Sequence, residues 1–391
     1  MTFPSKPATR PANPRFSPGP TRKHPGWSLQ NLEDAALGRN HRSKAAVAKL
    51  KLAIDRTREI LRVPADYKIA IVPGSDTGAV EMAMWTMLGK QGVDVFAWEN
   101  FGKDWVIDAV EQLKLDDLNV HVGDYGELPD FNQAKPDRDV VFTWNGTTSG
   151  VRVPNCDWMP EDRDNIVICD ATSAAFAQEL DWPKLDVVTY SWQKVMGGEA
   201  AHGMLIISPR AQKRLETFTP AWPVPKVFRM SSNGKLDEGL FQGSTINTPS
   251  LLCVEDYLDA LDWAEEIGGL DALHARADSN AKIIYDWIEA SDWAEPLCKN
   301  DAERSNTGVC LVFKDQSVDG AALQARMLEL LAENEAGLDC GAYRTAPPGL
   351  RIWTGGTIEA DDLKALIQWA DWAYATARAE MMEDGAARKA G

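Results

Sequence analysis

Apolar and polar positions follow two rhythms along this chain, and the switches between them predict its elements. Short, mostly apolar runs bounded by Gly, Pro, Asn or Asp predict strands at Lys68–Val72, Val93–Trp98, Asn119–Gly123, Val140–Trp144, Ile166–Asp170, Val187–Tyr190 and Met204–Ile207. Between them the period lengthens. Ala46, Val47, Leu50, Ile54 and Leu61 share one face of a helix over Ser43–Leu61 that Pro64 stops, and helices are expected at Thr77–Leu88 and Lys103–Leu113. Strands without a polar face are buried on both sides, so the alternation predicts an α/β fold with a mostly parallel, doubly wound sheet covered by helices. After Pro249 the grain changes to long helical patterns at Leu251–Ile267, Leu270–Ile288, Gly320–Leu331 and Ala360–Ala377, with a strand at Gly308–Phe313. This predicts a smaller α+β C-terminal domain with its own core. The expected division is an arm of residues 1–15, a large domain over 16–255 and a small domain over 256–391.

Composition narrows the function classes. The chain has 391 residues, 44% of them hydrophobic, enough for large cores. A formal charge of −17 argues against nucleic acid or an anionic membrane as partner, because either needs a basic surface. An anionic substrate therefore needs a local cationic pocket. The six cysteines are far apart, without the close Cys or His spacing of a zinc site, so no metal is expected and the thiols read as those of a reduced, cytoplasmic protein. Met1–Pro20 is Pro-rich and polar, unlike a leader or membrane anchor, and no apolar stretch reaches spanning length.

The candidate chemistry centres on Ser191-Trp192-Gln193-Lys194-Val195, followed by Gly197-Gly198. A lysine that carries an aldehyde cofactor needs a neutral amine and a rigid seat, and small neighbours let backbone approach the cofactor. Asp170 closes the apolar run Ile166–Cys169, at the strand edge where open α/β sheets bind ligands. An acid there can keep a pyridine nitrogen protonated and make the ring an electron sink, so Lys194 with Asp170 predicts a pyridoxal phosphate site. Pro73-Gly74-Ser75-Asp76-Thr77-Gly78, between a strand and a helix, can present backbone N–H groups to the cofactor phosphate, Asp76 through its backbone rather than its carboxylate. A second loop, Asn145-Gly146-Thr147-Thr148-Ser149-Gly150, leaves two readings open: a threonine bonded to the cofactor, or a plain turn.

The order of these motifs, with Ser244-Thr245-Ile246-Asn247-Thr248-Pro249, His41-Arg42-Ser43-Lys44 and Arg344 to Arg351, resembles the phosphoserine aminotransferases, class-V members of the fold-type I pyridoxal phosphate enzymes. The resemblance runs from about Phe16 to Trp353. It implies that Lys194 is the Schiff-base lysine and Asp170 the ring-nitrogen partner. Gln193 and Thr147 would touch the cofactor, with Ser75, Asp76 and Thr77 giving phosphate-loop amides and Phe101 stacking on the ring, Trp105 lying close by in sequence. Asn247 and Thr248 would reach the phosphate of a neighbouring subunit, which implies a homodimer with shared sites. Arg351 would bind the α-carboxylate, while His41 and Arg42, helped by Arg344, would take a distal phosphate or γ-carboxylate. Tyr343 stands where many relatives have histidine. The implied reaction is transamination between L-glutamate and 3-phosphohydroxypyruvate, giving O-phospho-L-serine and 2-oxoglutarate, as in serine biosynthesis. The family also serves pyridoxine biosynthesis through a phosphorylated four-carbon oxo acid.

Rival readings stay within reach of the same motifs. One rival is an alanine–glyoxylate type aminotransferase, to be separated by whether His41 and Arg42 read a distal phosphate; a phosphate-binding His41-Arg42 would also have no purpose in a cysteine desulfurase. A cysteine desulfurase needs an exposed catalytic cysteine, for which Cys340 beside Gly341 is the candidate. A binding protein without catalysis would have no reason to keep both Lys194 and Asp170.

Overall fold

A computed structural model describes residues 5–390 of the chain. Seven strands build the central sheet: β1 (Lys68–Pro73), β2 (Val93–Ala97), β3 (Leu118–Val122), β4 (Asp139–Thr143), β5 (Val167–Asp170), β6 (Val187–Ser191) and β7 (His202–Ile207). Their spatial order is β1-β7-β6-β5-β4-β2-β3. Only β7 runs antiparallel to its neighbours β1 and β6, and the remaining pairs are parallel. Ile69, Ile71, Phe96, Val140 and Cys169 feed the core on one face, and Ala70, Val72, Val95, Val141 and Ile168 the core on the other. Both faces are apolar and covered, as the unbroken apolar runs predict.

The helices are α1 (Lys44–Ile60), α2 (Ser75–Met87), α3 (Asn100–Ile107), α4 (Pro209–Thr217), α5 (Leu251–Glu266), α6 (Gly269–Ala290), α7 (Gly320–Glu333) and α8 (Ala360–Ala390). Two begin earlier than the sequence pattern suggests, and the caps explain both. Glu99 accepts the Gly102 N–H at 2.7 Å and so opens α3 at Asn100 instead of Lys103. Gly74, at φ 84°, turns the chain so that α2 starts at Ser75. A π-helical turn at Asp108–Gln112 prolongs α3.

Three strands, β8 (Ala294–Pro296), β9 (Gly308–Phe313) and β10 (Gly349–Trp353), form a second, antiparallel sheet that packs with α6, α7 and α8. Its apolar residues do not form the separate core expected from the sequence. Val309, Leu311, Ile352 and Trp369 belong to the same continuous cluster as Ile69 and Phe142. The expected boundary at 255/256 also falls within α5, which packs on α1 of the large unit and α6 of the small one. The N-terminal segment ties the two together. Phe16 N–H donates to Leu338 O and Trp353 N–H to Phe16 O, both at 3.2 Å, while Arg22 pairs with Asp362 at 2.7 Å in a buried bridge.

Candidate active site

The carboxyl ends of β4, β5 and β6, the first turn of α2 and the side of α3 surround a cavity of about 610 Å3. Ser75, Asp76, Thr77, Phe101, Thr147, Asp170, Gln193 and Lys194 all line it. The loop after β6 delivers Lys194. Its seat is fixed by Trp192, whose buried ring stacks on Tyr257 with centroids 4.6 Å apart.

Burial of the Lys194 amine and the charge of Arg351 push its pKa down to about 8, against the opposing pull of Asp170, Glu99 and Asp76. The amine donates a hydrogen bond to Pro18 O at 2.7 Å and lies 5.9 Å from the centroid of the Phe101 ring. Asp170 accepts Trp105 Nε1–H at 3.1 Å and the Thr172 N–H at 3.0 Å, which fixes both carboxylate oxygens. Phe101 and Trp105 thereby separate in place: Phe101 faces the amine and Trp105 holds the acid.

The loop after β4 is held rigidly. Thr147 donates to Ser173 Oγ at 2.6 Å, Asn145 donates to Ser173 Oγ at 2.8 Å, and Thr148 donates to Glu99 at 2.7 Å. In the phosphate-loop segment the structure differs from expectation at one amide: the Ser75 N–H is already donated to Ala201 O at 3.3 Å. Among the described residues, the amides of Asp76 and Thr77 have no such backbone partner outside the helix.

Asp76 Oδ1, Thr143 Oγ1, Thr172 Oγ1, Thr189 Oγ1 and Gln193 Oε1 are buried without a hydrogen-bond partner. Such atoms are rare in folded proteins because each costs about 1–3 kcal/mol. All but Thr189 Oγ1 belong to residues that line the cavity, and their concentration there, beside a helix N-terminus and a neutralisable lysine, fits a polar, phosphorylated ring such as pyridoxal phosphate.

Arg351 on β10 is not among the residues that line the cavity; its guanidinium lies 5.4 Å from the Tyr343 ring and, among the described residues, its buried Nε has no hydrogen-bond partner. Arg344, exposed, lies over the same ring at 5.5 Å, and Tyr343 packs against Phe101 with centroids 5.6 Å apart. His41, Arg42, Asn247 and Thr248 do not line this cavity, and Arg42 and Thr248 are exposed.

Sequence patterns did not single out the strap Pro18-Gly19-Pro20-Thr21, which crosses the lysine. Thr21 N–H donates to Gln193 O at 2.9 Å and its hydroxyl to Lys194 O at 2.5 Å. Cys340 is fully buried and its thiol is pushed up by that burial, so it offers no exposed nucleophile. Among the described residues there is no cluster of metal-ligating side chains and no helix long and apolar enough to cross a membrane.

The class-V aminotransferase family model matches residues 135–352, more than half of the chain. The chain is 52% identical over 370 residues to a phosphoserine aminotransferase of Methanosarcina mazei, covering 94% of this chain and 99% of the relative. The crystal structure of a phosphoserine aminotransferase from Cytophaga hutchinsonii superposes with a TM-score of 0.76 at 20% identity, covering 91% of this chain and 98% of that one. An alanine–glyoxylate aminotransferase from Nostoc superposes with a TM-score of 0.74 at 17% identity, covering 95% and 97%. The two superpositions are so close that fold alone does not separate these activities, and the sequence identity does. The chain belongs to the class-V aminotransferases, which use pyridoxal phosphate, and within them to the phosphoserine aminotransferase family.

Proposed function

We propose that this protein transfers the amino group of L-glutamate to 3-phosphohydroxypyruvate, giving O-phospho-L-serine and 2-oxoglutarate. The observation that carries the reading is the meeting of Lys194 and Asp170 around one cavity, with an amine whose pKa is brought down to about 8 by burial and the charge of Arg351. Bound pyridoxal phosphate supplies an electron sink for the charge that develops at the substrate α-carbon. Lys194 holds the cofactor and, once released, takes the α-proton on Nζ as general base and returns it as general acid. An amine near pKa 8 is deprotonated often enough near neutral pH to do this, which an exposed lysine is not.

Asp170, held by Trp105 and Thr172, keeps a proton at the ring nitrogen. Phe101 would cover the ring face, Gln193 and Thr147 would contact the ring's substituents, and the amides of Asp76 and Thr77, with the Ser75 side chain, would hold the phosphate at the start of α2. Arg351 binds the α-carboxylate bidentately. His41, Arg42, Asn247 and Thr248 lie off this cavity and act on the partner's site in a homodimer, Asn247 and Thr248 at the phosphate and His41 and Arg42 at the substrate's distal anion. Arg344 assists them from the rim. The phosphorylated four-carbon oxo acid of pyridoxine biosynthesis presents the same two anionic ends and is a second acceptor. Six free thiols suit a cytoplasmic setting.

The test is to convert the enzyme with glutamate, follow the cofactor spectrum, and add candidate oxo acids. 3-Phosphohydroxypyruvate should exceed hydroxypyruvate, pyruvate and glyoxylate by about a hundredfold in kcat/KM, roughly 2.7 kcal/mol. Arg42→Ala should erase much of that gap, whereas Arg351→Ala should slow every substrate. A wild-type preference for pyruvate or glyoxylate, or a uniform loss in Arg42→Ala, would overturn the assignment in favour of the alanine–glyoxylate type.

A further inference from the structure

Asp76 carries a carboxyl that amide contacts to a phosphate leave unused. It sits in the first turn of α2 but is 6% exposed, lines the cavity beside Asp170, and keeps Oδ1 buried without a partner. The hydroxyls of Thr172 and Thr189 face it, and both oxygens are likewise unpartnered. We propose that Asp76 and Asp170 form a carboxyl pair that shares one proton, with Asp76 as the neutral member and as a positioning residue for Asp170. The proposal rests on the reading of Asp170 as the acid that faces the cofactor's ring nitrogen.

The two carboxyls differ in what they accept. Asp170 takes an indole N–H and a backbone N–H, donors that favour a carboxylate, while Asp76 Oδ1 takes none. Two ionised carboxylates in one buried site repel strongly, so one retains a proton, and the one that accepts no N–H and faces only hydroxyls is the one that does. Burial first and then the charge of Asp170 raise the Asp76 carboxyl well above the usual range. Of the other titratable groups, Cys169 on β5 and Lys194 after β6 also feel its charge, and Glu81 of α2 lines the same cavity. Lys194 does not reverse the effect, because burial and the charge of Arg351 push its own amine toward the neutral form. The neutral acid can donate to a second lone pair of Asp170, fixing its orientation while leaving a single negative charge for the ring nitrogen.

The sign of the pH dependence follows. A carboxyl whose pKa is raised in the folded state binds its proton more tightly there than in the unfolded chain. Wild type therefore loses stability as pH rises from the ordinary carboxylate range through the raised value. Asp76→Asn removes that loss and keeps a donor toward Asp170.

In the full-length chain stripped of cofactor, the melting temperature of Asp76→Asn minus that of wild type should rise by about 2 °C or more between pH 5.5 and 8.5. The same rise should shrink in an Asp170→Asn background. Holoenzyme dialysis should show Asp76→Asn retaining pyridoxal phosphate within about threefold of wild type and Asp76→Ala binding it about tenfold more weakly. A difference that is constant or falls with pH, a rise unaffected by Asp170→Asn, or equal cofactor loss in the Asn and Ala variants overturns the pair. Borohydride mapping of the cofactor link runs in parallel. A link at Lys194 with no pH-dependent gain sinks only the carboxyl pair, and a link elsewhere sinks the cofactor reading on which it rests.

Discussion

Gly19→Ala tests whether the N-terminal strap sets the position of Lys194, the proposed catalytic lysine. A Cβ at residue 19 would lie 2.3 Å from Lys194 Nζ, 2.8 Å from Cε and 3.0 Å from Cδ. Ordinary contact needs about 3.5 Å, so something must move by about 1.2 Å. The strap cannot easily yield. Phe16 is bonded to Leu338 and Trp353, Thr21 to Gln193 and Lys194, and Arg22 to buried Asp362. The lysine side chain, flexible at its far end, gives way instead and loses the Pro18 carbonyl at 2.7 Å. A misplacement of about 1 Å in a reacting group costs on the order of a hundredfold in rate, about 2.7 kcal/mol. Gly19 also sits at φ 155°, where alanine is strained, so the melting temperature should fall somewhat while the variant stays folded at assay temperature, and the rate loss should exceed what that fall explains. The assay is the single-turnover rate with glutamate, alongside the melting temperature and the yield of cofactor linked to Lys194 after borohydride reduction. A wild-type rate in a normally folded variant would refute the argument, as would a rate loss explained by a matching fall in melting temperature.

Two further outcomes follow from the site. The rate at which added pyridoxal phosphate links to Lys194 should rise about tenfold per pH unit below pH 8 and level off above it, because only the neutral amine reacts and its pKa lies at about 8; a profile still climbing tenfold per unit through pH 10 would show an unperturbed lysine. If Asn247 and Thr248 complete a neighbour's phosphate site, inactive Lys194→Ala mixed with a weakened Asn247→Ala should regain partial activity through hybrid dimers, and full activity in a stable wild-type monomer would remove the shared-site reading.

What the sequence made legible was whatever a short stretch of backbone decides. Asp170 was readable because a buried strand must deliver its last residue to the sheet's carboxyl edge, and Ser75 to Thr77 because a strand, a glycine turn and a helix start are consecutive in the chain. Lys194 was readable because its seat, Trp192 to Gly198, is local. The remaining features depend on residues far apart in sequence. Pro18 and Lys194 are 176 positions apart, and the Pro-rich start carries no periodic pattern that could announce a strap.

β10, which places Arg351, is a short run, Gly349–Trp353, interrupted by that arginine, so alternation could not announce it as a strand. Its pairing with β9 sets Arg351 opposite Cys310, and its guanidinium comes to lie 5.4 Å from the Tyr343 ring. The C-terminal core could not be assigned either, since apolar spacing says which face of a helix is buried but not against what. Asp76 shows the same limit at a single residue. Its place in a loop of capping residues predicts a backbone role, and only the fold brings Asp170, Thr172 and Thr189 around its carboxyl. Local pattern therefore identifies groups that meet at the cavity, whereas their positions and protonation states are set by long-range neighbours, and those are the quantities that Gly19→Ala, the Asp76 variants and the pH profile of Lys194 measure.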